Sequence, residues 1–247
     1  TSLAGIVNTV KHTLKLLQIP YEDLLIRIRS SIPPGKGLGS SASVAIAIVK
    51  SLFKFSNEKY TKEMLLQLAN ISETFAHGAP SGIDPLTITS KSPIWYKREE
   101  PIDYIHPNGE FHFVVADTGR MADTKSAIDT VTNLIKNTPQ KVNDTMSRIG
   151  EITFEAREAL EKSSKQLLGN LLDGAQKELE TIGVSDMSLN RLIHVAKQEG
   201  ALGAKLTGGG NGGCIIALAK DKAHSQRISE RLRQSGADAV WNYDLKG

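Results

Sequence analysis

The chain has a single cysteine, Cys214, so it cannot close a disulfide within itself, and such sparing use fits a reducing compartment. Aromatic residues make up only 5% of the sequence, too few for the stacking platforms that hold single-stranded nucleic acids. Neither sign of charge dominates, because 30 Lys and Arg stand against 27 Asp and Glu and are scattered among them. A nucleic-acid binder concentrates its cations on one face, so that class is disfavoured. No apolar run approaches the roughly 18 residues a spanning helix needs. Signal-peptide patterns, internal repeats and low-complexity stretches are also missing. These features fit a cytoplasmic protein whose partners include neither membrane nor nucleic acid.

What is present is an ordinary globular composition, 40% hydrophobic and 23% charged over 247 residues, enough for one large domain or two small ones. Leu3, Ile6, Val7, Val10, Leu14 and Leu17 recur at three- and four-residue steps and predict an amphipathic helix closed by Pro20. Leu24, Ile26 and Ile28 alternate with Leu25, Arg27 and Arg29, which reads as a half-buried strand ended by Pro33-Pro34. Ala42 to Phe55 reads as a buried helix, and Met64, Leu68, Ile71 and Phe75 mark another over about 61–77. A short strand at 92–97 and a polar loop at 98–110 complete the first part. The second part carries strands at 111–116, 202–206, 214–218 and 239–243. Helices are expected near 122–137, around Ile149 to Leu160, Leu168 to Leu179 and Leu189 to Ala196, and at 222–234. Without the extra helices this order is β-α-β-β-α-β, the ferredoxin-like arrangement. The expected domains are 1–105 and 106–247.

Two glycine loops and a carboxylate turn stand out. Pro33, Pro34, Gly35, Lys36, Gly37, Leu38, Gly39, Ser40, Ser41, Ala42 and Ser43 precede a helix, where glycines and free N–H groups suit an anion. This stretch matches neither GxxxxGK[ST] nor GxGxxG, and its plain alternative is a tight turn with Ser40 as N-cap. Thr207-Gly208-Gly209-Gly210-Asn211-Gly212-Gly213 has more glycine than a hairpin turn requires, which points to close approach by a ligand. Glu73 and His77-Gly78-Ala79-Pro80-Ser81-Gly82-Ile83-Asp84 contain acids that, taken singly, read as a solvated helix carboxylate and a turn residue.

In that order PPGKGLGSSA, HGAPSGID and KLTGGGNGG resemble the motifs of the GHMP kinases, and HGxPSGxD is similar to the mevalonate kinase branch. The resemblance covers essentially the whole chain. It implies an α+β fold of two domains: a truncated N-terminal part like domain 2 of ribosomal protein S5, and a ferredoxin-like C-terminal domain with inserted helices. It implies ATP-dependent phosphorylation of (R)-mevalonate at the 5-hydroxyl, with Mg²⁺, and it leaves room for a homodimer. Residues 33–43 would wrap the ATP phosphates, Ser41 and Glu73 would ligate Mg²⁺, and Asp84 would accept the hydroxyl proton. His77, Ser81, Gly82, Thr124, Thr207, Gly208 and Gly209 would serve the substrate, with the last loop closing over it.

Two departures accompany the resemblance. The family's third motif usually reads GAG where this chain has Gly208-Gly209-Gly210, a change expected to be tolerated and to loosen the loop. The family's first motif, an N-terminal strand with a catalytic lysine, has no counterpart, and Lys36 does not match it. The sequence therefore reads as a kinase without its N-terminal strands, with an unpaired strand edge near Leu24–Ser30 and impaired turnover. The rival readings are a phosphomevalonate kinase or other small-molecule GHMP kinase, an RNA-binding module, and a nucleotide-binding fragment without catalysis.

Overall fold

The computed structural model describes residues 3–22, 24–77 and 82–247, without the side chains of Ala76 and His77. The chain divides into two compact units, Thr1–Tyr104 and Ile105–Gly247.

The first unit is built on helices α1 (Leu3–Leu16), α2 (Ser40–Phe55), α3 (Lys62–His77) and α4 (Ile83–Thr89), with a small antiparallel pair, β1 (Ile94–Trp95) and β2 (Asp103–Tyr104). Ala45, Ile46, Val49 and Phe53 of α2 pack on Leu65, Leu68 and Ala69 of α3, and Leu14 of α1 joins Ile48 and Leu52 on the other side of α2. A backbone-tight contact seats α1 on α3, because a Cβ on Gly5 would lie 3.0 Å from the Ser72 carbonyl oxygen. Burial of this apolar surface, at about 25 cal/mol per Å², is what makes these otherwise marginal helices stable.

Several expectations fail in this unit. The predicted strand at Leu24–Ile28 does not form: residues 24–30 lack regular structure, and positions 25–30 are all exposed instead of alternating. Period-two patterning marks a strand only when a neighbour supplies hydrogen bonds, and among the described residues none pairs with this segment. Its expected open sheet edge is therefore an unpaired chain lying over α2, with a groove of about 680 Å³ between them that includes Leu24, Val44, Ile48 and Phe55. The helix α4 was not expected at all. Its Gly82 N-cap sits at φ 74°, and seven residues with Pro85 inside give almost no periodic signal.

The second unit follows the expected order. It runs through β3 (Glu110–Asp117), α5 (Thr124–Asn137), α6 (Pro139–Glu161), α7 (Lys165–Thr181), α8 (Met187–Gln198), β4 (Gly203–Thr207), β5 (Cys214–Ala219), α9 (Lys222–Gln234) and β6 (Ala239–Lys246). Its four strands form an antiparallel sheet in the order β4-β5-β3-β6, the split βαβ topology. One face of the sheet packs Val114, Ala204, Leu206 and Ile215 against Leu189, Leu192, Ile228 and Leu232. The other packs Phe111, Phe113 and Leu218 on Ala159, Leu168 and Leu171.

The edge strand β4 matters most, because it carries the second glycine loop. Gly203 and Gly169 let α7 approach it directly, since a Cβ on Gly203 would fall 1.9 Å from the Gly169 carbonyl oxygen. That proximity lets α7 side chains take the outward N–H groups of the strand. Ala204 N–H donates to Asp173 Oδ1 and Leu206 N–H to Gln176 Oε1, each at 2.9 Å. An otherwise open edge is thereby satisfied and fixed in register.

Candidate functional site

The first glycine loop earns its spacing from backbone geometry. Gly35, Gly37 and Gly39 occupy left-handed conformations at φ 70°, 75° and 67°, while the residues between them keep negative φ. Such alternation turns successive N–H groups toward one concave side, which is how backbone cradles anions. The loop is anchored at its start, where Ser40 Oγ donates to the Ile32 carbonyl at 3.2 Å. Ser40 is consequently the first residue of α2 and not its cap, a place taken by Gly39 with no side-chain cap bond. The amide donors in the first turn of α2 and its positive dipole end are thus kept beside the loop. Lys36 is 8% exposed.

The two proposed metal ligands fit a hard cation. Ser41 lies in the first turn of α2, and its Oγ is buried without a hydrogen-bond partner, an arrangement that native structures keep for a reason. Glu73 is 4% exposed, contrary to its reading as a solvated helix carboxylate. The buried side of α3 runs through Leu65, Leu68, Ala69, Ser72 and Glu73, while Phe75 is 57% exposed. The stripe expected through Phe75 is therefore displaced around the helix, and a carboxylate stands within the packed face. A hydroxyl and a carboxylate, both oxygen donors, suit Mg²⁺.

Asp84 is exposed in the first turn of α4. Its helix is tied to both neighbouring features of this unit. A Cβ on Gly39 would meet Ile88 Cδ1 at 3.2 Å, and one on Gly82 would meet the Asn70 side chain of α3 at 3.8 Å. The first glycine loop, α3 and the carboxylate turn are thus joined through α4. His77 ends α3, but its side chain and the whole of Gly78–Ser81 lie outside the described residues.

The second glycine loop is pinned, not slack. Asn211 N–H donates to Val184 O at 2.9 Å, Asp123 N–H to Asn211 O at 3.1 Å, and Gly213 N–H to Arg120 O at 3.0 Å. Thr118 donates to Gly213 O from both its backbone N–H and its hydroxyl. The loop therefore rests on the 118–124 turn, whose start is held by Asp117 Oδ1 accepting from Gly119 N–H at 2.8 Å. The missing methyl at Gly209 has a visible use, because a Cβ there would lie 2.5 Å from Thr124 Oγ1. The space that the methyl would fill is taken by Thr124. Thr124 and Gly208 are exposed, and Thr207 and Gly209 are half-buried. Just before the loop, burial pushes the Lys205 ammonium down to about 8, and its Nζ donates to Leu206 O.

Reading the sequence missed Asp173 and Gln176 as supports of the strand that leads into this loop, and Val184 as a support of the loop itself. The small pair Gly169 and Gly203 was the available signal, since glycine inside a helix and a strand marks close backbone approach.

Residues 6–91 match the GHMP kinases N terminal domain, and residues 156–238 match GHMP kinases C terminal. A mevalonate kinase of Pyrococcus abyssi is 33% identical over 227 residues, which is 89% of this chain and 67% of the relative. That of Thermococcus gammatolerans is 34% identical over 230 residues, 89% and 68% respectively. The crystal structure of L. major mevalonate kinase in complex with R-mevalonate superposes with a TM-score of 0.85 at 26% identity, covering 98% of this chain and 76% of that one. The Methanococcus jannaschii mevalonate kinase gives 0.83 at 25% identity, covering 100% and 76%.

Proposed function

The chain belongs to the GHMP kinase family, and from that premise we propose that it transfers the γ-phosphoryl group of ATP to the 5-hydroxyl of (R)-mevalonate. The observation that carries this reading is the first unit's arrangement: an anion-cradling loop, a buried hydroxyl and a buried carboxylate, with Asp84 on the helix that touches both the loop and α3. The match to relatives named mevalonate kinase supplies the substrate.

Residues 33–43 bind the nucleotide phosphates through backbone N–H groups, which hold charge in place with no reorganisation during transfer. Ser41 and Glu73 hold Mg²⁺, which when bound neutralises phosphate charge and orients the transferring group. The Asp84 carboxylate accepts the proton of the attacking hydroxyl, and its exposure on a short helix leaves it reachable by an alcohol. His77, Ser81, Gly82, Thr124, Thr207, Gly208 and Gly209 position the substrate. Phosphoryl transfer asks chiefly for such positioning and charge neutralisation. No helix among the described residues is long and apolar enough to cross a membrane. We further propose a cytoplasmic enzyme with a small-molecule substrate, residues 1–105 serving the nucleotide and 106–247 forming the second domain.

The test is ADP release with a panel of alcohols: (R)-mevalonate, phosphomevalonate and galactose. Mevalonate should give the highest kcat/KM. A higher value with either of the others would replace the substrate while leaving the family in place.

A further inference from the structure

Asn70 lies on α3 one turn before Glu73, and a spacing of three residues puts both on one helix face. Its Oδ1 is buried and accepts no hydrogen bond. The carboxamide lies against Gly82, two residues before Asp84, with Nδ2 and Oδ1 at 3.8 and 4.0 Å from where a Cβ of Gly82 would stand. A buried acceptor left so loses its hydration with nothing in return, and leucine would fill similar space without that loss. An oxygen kept at this cost is waiting for a donor that arrives with a ligand. Ser41 Oγ is buried in the same condition, on the helix that packs against α3. Mg²⁺ takes one or two protein oxygens and retains several waters. Each retained water carries protons that need acceptors, and a neutral carboxamide provides one without altering the charge of the site.

We propose that Asn70 is a positioning residue of the cation site, its Oδ1 accepting a hydrogen bond from a water on Mg²⁺. The inference rests on the reading of Ser41 and Glu73 as ligands and extends the site one turn along α3. Partners around a metal that orient its ligands typically matter by 10–100-fold in affinity.

The experiment titrates Mn²⁺ into the protein with a non-hydrolysable ATP analogue, following free Mn²⁺ by electron paramagnetic resonance and bound water by proton relaxation. Asn70→Leu should weaken Mn²⁺ binding about tenfold and lower the relaxation enhancement. The same change should raise the melting temperature of the metal-free protein, because it removes an unsatisfied buried atom. Asn70→Asp, which keeps an acceptor oxygen, should hold Mn²⁺ at least as well as the parent. Unchanged Mn²⁺ affinity in Asn70→Leu, while Glu73→Gln loses it, would overturn the role of Asn70 and leave the cation site intact. Unchanged affinity in Glu73→Gln would instead overturn the cation site itself. A lower metal-free melting temperature for Asn70→Leu would mark Asn70 as purely structural and also overturn the proposal.

Discussion

Gly209 and Gly210 are neighbours of the same type, yet their substitutions should differ sharply. At Gly210 the backbone is left-handed, at φ 83°, and a Cβ would lie 2.1 Å from the Val184 carbonyl oxygen. Backbone cannot yield there, so Gly210→Ala should cost on the order of 2–3 kcal/mol of stability. At Gly209 no left-handed φ is required and the nearest atoms all belong to the Thr124 side chain, which yields more readily than backbone, so Gly209→Ala should cost less, about 1 kcal/mol. Urea denaturation of both variants checks the order, and equal losses would contradict it. Lys205 gives a second prediction. Burial lowers its folded pKa to about 8, below the ordinary 10.5, so the unfolded state binds the extra proton between these values and stability rises with pH across them. Lys205→Met should therefore stabilise the protein at pH 7, and the gain should shrink between pH 8 and 10.5. Melting temperatures across that window read it directly, and a gain constant with pH would show that the ammonium is not desolvated.

Single residues also show where sequence is a poor guide. Glu73 was legible as a candidate only through the motif around it. Its burial depends on what packs around α3, which no periodicity within α3 can report. The pinned state of the second glycine loop was illegible for a similar reason. Its partners Val184, Arg120 and Asp123 are distant in sequence and contribute backbone atoms, which carry no residue-type signature.

Among the elements, the helices α1, α2 and α9 and the strands β3 to β6 form where the sequence places them, and their succession in the second unit carries its ferredoxin-like order. The buried faces were less legible: α1 buries Gly5, Thr9 and Thr13 beside Leu14 and leaves Leu3 and Val7 exposed, α2 packs on two sides, and β3 and β5 are buried on both faces. The segment 24–30 shows the opposite case. Its alternation is genuine, but a strand is defined by its neighbour, and the side chains it was expected to bury are exposed: Leu25 at 84%, Ile26 at 37% and Ile28 at 44%. Exposed apolar residues on unpaired chain invite association. Replacing Leu25 and Ile28 together by lysine should reduce light scattering and dye binding on concentration, with the denaturation midpoint nearly unchanged. A large loss of stability would show that the segment contributes to the core. The edge of β4 needs no such remedy, since Asp173 and Gln176 already occupy its free donors.

At the scale of the whole molecule, each unit presents one glycine loop held by its own elements, and the catalytic assignment rests on Asp84 in the first unit. A carboxamide in its place would keep the shape and lose the capacity to accept a proton. The most direct test follows the ³¹P NMR spectrum of ATP, Mg²⁺ and (R)-mevalonate incubated with the protein and with Asp84→Asn. The expected result is a 5-phosphomevalonate resonance growing with ADP, slowed at least about a hundredfold in Asp84→Asn while nucleotide affinity stays within a factor of about two. Phosphate appearing on another position or acceptor, or product forming at a similar rate in both proteins, would contradict the assignment of mevalonate as substrate or of Asp84 as its base.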